Sequence, residues 1–179
     1  MHVSTIAMLT ANQPGVLARV SHLFCRRSFN LLSVCAEKAR VFDQYCITVA
    51  VQCDDRTLEQ IRKQLVKLID VEEVTIVSQR PFIERQVALV KVRVHAGQRS
   101  AITSEAQLFG AQVADMGPSI VTFEITSDET RIDAFLKAME PFGVLEVVRS
   151  GKVALYKGDS LCFKREQSNG ADLAEKGES

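Results

Sequence analysis

HVSTIAMLTANQPGVLARVSHLF, residues 2–24, is the stretch on which the fold turns. In its first part Val3, Thr5 and Ala7 alternate with Ser4, Ile6 and Met8, the two-residue period of a strand. In its second part Val16, Leu17, Val20, Leu23 and Phe24 share one helical face, and Arg19, Arg26 and Arg27 lie off it. Between them stands Asn12-Gln13-Pro14-Gly15, a run of turn residues. The chain therefore reads as a strand that turns sharply into an amphipathic helix, and the apolar face of that helix needs a sheet to pack on.

The following residues supply the sheet. NLLSVCAEKA (30–39) and QYCITVAVQ (44–52) read as two strands joined by a turn near Arg40 to Asp43. DDRTLEQIRKQLVKLI (54–69) reads as a helix capped by Asp54 or Asp55, with Leu58, Ile61, Leu65 and Leu68 at helical spacing, and VEEVTIVSQ closes the unit as a fourth strand. The order β-α-β-β-α-β is the split βαβ arrangement. It then recurs in RQVALVKVRV, SAITSEAQLFG, AQVADMG, SIVTFEIT, ETRIDAFLKAM and GVLEVVRS, with KVALYKG as an added edge segment. The predicted fold is α+β: two ferredoxin-like βαββαβ domains in tandem, each an antiparallel four-stranded sheet with its helices on one face. The boundaries fall at 1–79, 80–160 and a disordered tail at 161–179, with QRPFIER (79–85) between the domains. Each half leaves one sheet face without helices, so the reading includes a homodimer in which a second copy covers that face.

Charge narrows the partners. Lys plus Arg and Asp plus Glu both number 22, so the basic excess that nucleic acid requires is missing and no nucleic-acid partner is expected. No apolar run approaches a membrane span and no signal-like N-terminus is present, so neither a membrane nor export is expected and the predicted location is cytoplasmic. The five cysteines, Cys25, Cys35, Cys46, Cys53 and Cys162, have no C-x-x-C spacing and read as reduced, buried thiols. His2, His22 and His95 are scattered, and the adjacent pairs Asp54–Asp55 and Glu72–Glu73 point apart, so neither a metal site nor a catalytic set is expected.

The remaining candidate is the glycine turn. A helix N-terminus presents unpaired N–H groups and the positive end of a dipole, which suits a carboxylate. Asn12 is placed to cap, Pro14 is tolerated in a first turn, and Gly15 suggests close approach of a ligand. Asn30 and Leu31 begin the second strand. Across a two-fold interface the Asn12 to Leu17 loop of one copy would face them in the other, with an amide for the ligand's polar end and Val16 and Leu31 as walls.

These residues carry a resemblance. N-Q-P-G-V-L-A-R-V-x-x-L-F-x-R-R-x-F-N-L-x-S is similar to the N-terminal ACT domain of the acetolactate (acetohydroxyacid) synthase small subunits. R-Q-V-A-L-V-K-V, D-A-F-L and F-G-V-L-E-V-V-R-S-G-K-V-A-L-Y-K-G resemble the second domain of the same family, so the similarity spans residues 3–160. The resemblance implies a non-catalytic subunit that binds a large catalytic subunit, raises its activity and confers feedback inhibition by valine. Thiamine diphosphate, Mg and FAD would reside on that partner, with no cofactor on this chain. The implied effector-binding residues are Asn12, Gly15, Val16 and Leu17 of one chain with Asn30 and Leu31 of the other. Ser28 stands where the family usually has Gly, Leu32 where a polar residue is common, and Gln44-Tyr45 where a Ser-Arg pair is usual. A stand-alone amino-acid-sensing ACT regulator of transcription or of another enzyme is the alternative, and for transcription the chain lacks a DNA-reading helix pair or a basic face. Arg149 and Lys152, in the turn before the last segment, are candidates to touch an acidic partner surface or to stand on a solvated edge.

Overall fold

The computed structural model describes residues 1–39, 44–95 and 97–163. Its first half runs β1 (His2–Ala11), α1 (Val16–Arg26), β2 (Leu31–Lys38), β3 (Gln44–Cys53), α2 (Asp55–Leu65) and β4 (Val71–Ile76). The second runs β5 (Phe82–Arg93), α3 (Arg99–Leu108), β6 (Gln112–Met116), β7 (Ile120–Ser127), α4 (Glu129–Met139), β8 (Val144–Arg149) and β9 (Val153–Tyr156). The sheets are antiparallel, in the orders β2-β3-β1-β4 and β6-β7-β5-β8, with β9 added to β5. This is the tandem ferredoxin-like architecture. The turn expected near Arg40 to Asp43 lies outside the described residues.

Alternation in β1 sorts the first half into two faces. Ile6 and Met8 join Val20, Phe24, Ile61 and Leu65 in the core beneath α1 and α2, while Ala7 faces the other way. In the second half Val90, Val92, Phe123, Ile125, Ile132 and Phe135 form the equivalent core under α3 and α4. Each such side chain contributes about 2 kcal/mol on burial, so the four buried residues of α1 outweigh the ~1 kcal/mol that a side-chain cap would add. Asp54 does cap α2, accepting from the Thr57 N–H at 2.8 Å, and hydrogen bonds from the Thr57 side chain and main chain hold its carboxyl below the usual range.

The helix-free face of the first sheet departs from expectation, because the same chain covers it. Ala7 and Val77 pack with Phe82, Ala154, Tyr156 and Cys162. Ala7, Ala50, Ser33 and Thr48, on this side of the sheet, are small, so backbone can come close there. Gly151 shows how close, since a Cβ there would stand 2.4 Å from the Val34 carbonyl oxygen and 2.8 Å from the Cys35 Cβ. The Lys152 N–H donates to Ser33 Oγ at 2.9 Å, and Thr75 Oγ1 donates to the Cys162 carbonyl at 2.6 Å. The segment read as a boundary is partly strand, Phe82 to Arg85 pairing with Tyr156 to Val153. Cys162, within the stretch expected to begin the tail, is buried, and the rest of that stretch, 164–179, lies outside the described residues.

Lys152 is neither a docking cation nor a solvated one. It is 4% exposed, and its Nζ lies 2.7 Å from Glu129 and 3.2 Å from Glu84. Burial alone would lower its pKa, but the hydrogen bonds and charges of Glu129 and Glu84 outweigh burial and raise it. The lysine therefore stays charged and ties the turn to β5 and α4. Arg149 is likewise engaged, pairing with Asp133 of α4.

Gly151→Ala is expected to destabilise the chain by about 1–3 kcal/mol, the usual result of forcing a methyl into filled space. Urea unfolding measures it, and a variant as stable as the wild type would show that the two halves are not pressed together at this point.

Candidate functional site

The Asn-Gln-Pro-Gly stretch is built by turn chemistry before it is a helix end. Pro14 and Gly15 take the two central positions of a type II turn: Gly15 has φ 86° and ψ −3°, and the Val16 N–H reaches the Gln13 carbonyl at 3.5 Å. The left-handed φ is thus a first reason for glycine, ahead of any ligand. The helix begins at Val16 with Gly15 as its cap residue and no side-chain cap hydrogen bond, which corrects the expectation that Asn12 caps it. The first helical bond runs from the Arg19 N–H to the Gly15 carbonyl at 3.0 Å, so the N–H groups of the first turn are presented outward.

Arg19 and Asp70 brace this turn, and sequence reading did not single them out. Arg19 Nε and Nη2 donate to the two carboxylate oxygens of Asp70 at 2.5 and 2.9 Å, a bidentate pair. The Asp70 carbonyl also accepts from the Ala11 N–H at 2.8 Å, so the end of β1 and the first turn of α1 are fixed to one residue. The available signal was an arginine four residues after a helix-opening glycine. Its partner, in the loop before β4, had no sequence signature.

The expected site residues divide between two places. Asn12, Gly15 and Leu17 are exposed at the turn, whereas the Val16 side chain is 4% exposed and belongs to the core, so its contribution there is its main chain and not a wall. Asn30 and Leu31 stand at the opposite end of the sheet. Leu31 pairs with Val51, which pairs with Ser4, seven residues back along β1 from Ala11. At ~3.3 Å per residue the two groups are roughly 23 Å apart within one chain. Asn30 opens on a cleft of about 350 Å³ lined also by Ser28, Phe29, Gln52, Asp54 and Thr57.

The link from α1 to Asn30 is a Schellman turn. The Phe29 N–H donates to the Phe24 carbonyl at 3.0 Å, the Ser28 N–H to the Cys25 carbonyl at 3.1 Å, and the two phenylalanine rings meet edge to face at 6.3 Å. Ser28 occupies the left-handed position at φ 54°, where glycine fits best. Leu32 is the extra residue of a β-bulge between Leu31 and Ser33, and is half exposed. Gln44 pairs with Ala11 beside the glycine turn and hydrogen-bonds Glu72.

Other chemistry is sparse. No cluster of His, Cys, Asp and Glu among the described residues has the geometry to hold a metal. Cys25 is exposed, contrary to the expectation of buried thiols, while burial pushes the Cys35, Cys46, Cys53 and Cys162 thiols up and away from nucleophilic behaviour. All four helices bury a face in the two cores. Among the described residues no helix is long and apolar enough to cross a membrane.

Fold and turn together are those of a protein built on an ACT domain. Residues 6–73 match the family described as the AHAS small subunit-like ACT domain, and residues 85–158 match that of the small subunit of acetolactate synthase. The acetolactate synthase small subunit of Mycobacterium bovis is 40% identical over 154 residues, covering 86% of this chain and 92% of that one; that of Mycobacterium leprae is 41% identical, covering 86% and 91%. The crystal structure of the acetolactate synthase small subunit from Thermotoga maritima superposes with a TM-score of 0.80 at 29% identity, covering 89% of this chain and 100% of that one. The chain belongs to the acetolactate synthase small-subunit family.

Ser28→Gly is expected to raise stability by about 0.5–1 kcal/mol, because relief of left-handed strain exceeds the added freedom of the unfolded chain. The check is the shift of the thermal midpoint; an unchanged or lower midpoint would mean that the serine hydroxyl offsets the strain.

Proposed function

We propose that this chain is the non-catalytic regulatory subunit of an acetolactate synthase, that it binds and activates the large catalytic subunit, and that it confers feedback inhibition by valine held between the ACT domains of a homodimer. One observation carries the valine site. The glycine turn and the Asn30 end lie at opposite ends of one sheet, so they can enclose a molecule the size of an amino acid only when two copies meet. One copy supplies the outward N–H groups of the α1 turn for a carboxylate, and the other supplies the Asn30 amide. Exposed Leu17 and half-buried Leu31 offer apolar contact to a branched side chain.

The chemistry of the synthase then belongs to the partner, which carries thiamine diphosphate, Mg and FAD. This chain's own share is binding and positioning: its first-turn N–H groups, Asn12 and Asn30 hold the effector, and the second half is available to the catalytic subunit. The reading carries a cytoplasmic complex.

Mixing the chain with a catalytic subunit is expected to raise acetolactate formation and to make it sensitive to valine. Asn12→Ala is expected to raise the valine concentration for half-inhibition by about tenfold or more, the value of one hydrogen bond to a charged group. Gly15→Asp, which adds strain at φ 86° and a carboxylate beside Arg19, should abolish inhibition. No activation on mixing would sink the regulatory-subunit reading. Loss of activation together with valine sensitivity in both variants would make the turn a contact with the catalytic subunit instead.

A further inference from the structure

We propose that Arg19 takes the carboxylate of the effector and that Asp70 positions it to do so; the assignment rests on the effector reading above and names a further group at that site. Two of the three guanidinium nitrogens, Nε and Nη2, are committed to Asp70. The third, Nη1, is turned to the glycine turn, 3.1 Å from where a Cβ on Gly15 would stand. The Asp70 side chain is 8% exposed and that of Arg19 46%, so the fork is anchored from within and open to solvent at its outer edge.

That arrangement is a prepared anion contact. A lone surface arginine loses side-chain entropy when it grips a ligand, whereas this one is already fixed by a bidentate partner. Its outer nitrogen stands beside Gly15, at the same turn from which the first-turn N–H groups of α1 emerge, so a carboxylate bound there would be within reach of main-chain donors and the guanidinium. The pair with Asp70 leaves no uncompensated cation when the site is empty, and any preference for a free carboxylate comes from the directed Nη1–H donors of the fixed guanidinium. Glycine at 15 has a second reason as well: any side chain would intrude between Nη1 and the turn. The ligand class that follows is an α-amino acid with a free carboxylate, as opposed to its amide or ester.

The test compares valine with valinamide by titration calorimetry on the full chain. The wild type is expected to prefer valine by about tenfold or more, as a charge-assisted contact implies. In Arg19→Gln the preference should shrink to within about threefold, through weaker valine binding with little change for valinamide. Asp70→Asn should weaken valine by a smaller factor, since the guanidinium remains but its anchor is reduced. Should Arg19→Gln fail to fold, Arg19→Lys keeps a charge opposite Asp70 but removes Nη1, and its preference is expected to fall severalfold. Equal weakening of both ligands in the Arg19 variants, or an unchanged preference, overturns the assignment and leaves the effector reading standing. A wild-type chain that binds neither valine, leucine nor isoleucine overturns the effector reading and this assignment with it.

Discussion

The packing of the second half against the helix-free face of the first sheet is the constraint on which the remaining geometry depends. A four-stranded sheet with helices on one side leaves a face that water disfavours, and here Ala7, Ala50, Ser33 and Thr48 keep that face low enough for β9 and the Gly151 turn to approach. Close approach of backbone demands that polar groups be met. The Lys152 N–H to Ser33 Oγ and Thr75 Oγ1 to Cys162 carbonyl bonds meet them, and the buried lysine is held by two carboxylates. Replacing this junction by a flexible linker would leave the small-residue face exposed and the lysine in water, so the tandem behaves as a single packed unit at this surface.

Because that face is occupied from within, a second copy is not needed to bury it, and the case for a dimer moves to the site. Expected site residues separated by roughly 23 Å along one sheet have no meaning inside one chain. In the proposed homodimer they would meet across a symmetry axis, where the same surface contributes both halves. For the first sheet the argument for association is thus geometric, whereas on the helix-free face of the second sheet Val87, Leu89 and Val148 remain exposed.

Much of this was legible because it is local. The alternation of β1, the 3.6-residue spacing of α1 and α2, the Asp54 cap and the Pro-Gly turn are all statements about neighbours in sequence, and the structure repeats them. What escaped is long-range. Lys152 reads as a surface cation because lysine usually is one, and nothing near it announces Glu84 or Glu129. Asp70 sits in a short loop without periodicity, and its pairing with Arg19 spans 51 positions. Asn12 reads as the cap residue from residue type alone; with Pro14 and Gly15 in a type II turn, the helix starts at Val16 and Gly15 takes the cap position. The open sheet face was assigned to a second copy because composition cannot reveal that the chain's own later strands return to cover it.

Strand β2 joins the two themes. It starts at Leu31, next to Asn30, and by Ser33 its side chain is already hydrogen-bonded to the Lys152 main chain, with Val34 and Cys35 pressed on Gly151. Between these points lies the bulge at Leu32, where the ladder to β3 is interrupted and the strand is least constrained by its neighbour. The segment between Asn30 and the junction therefore contains one residue outside the ladder before Ser33 and Gly151 tie β2 to the second half.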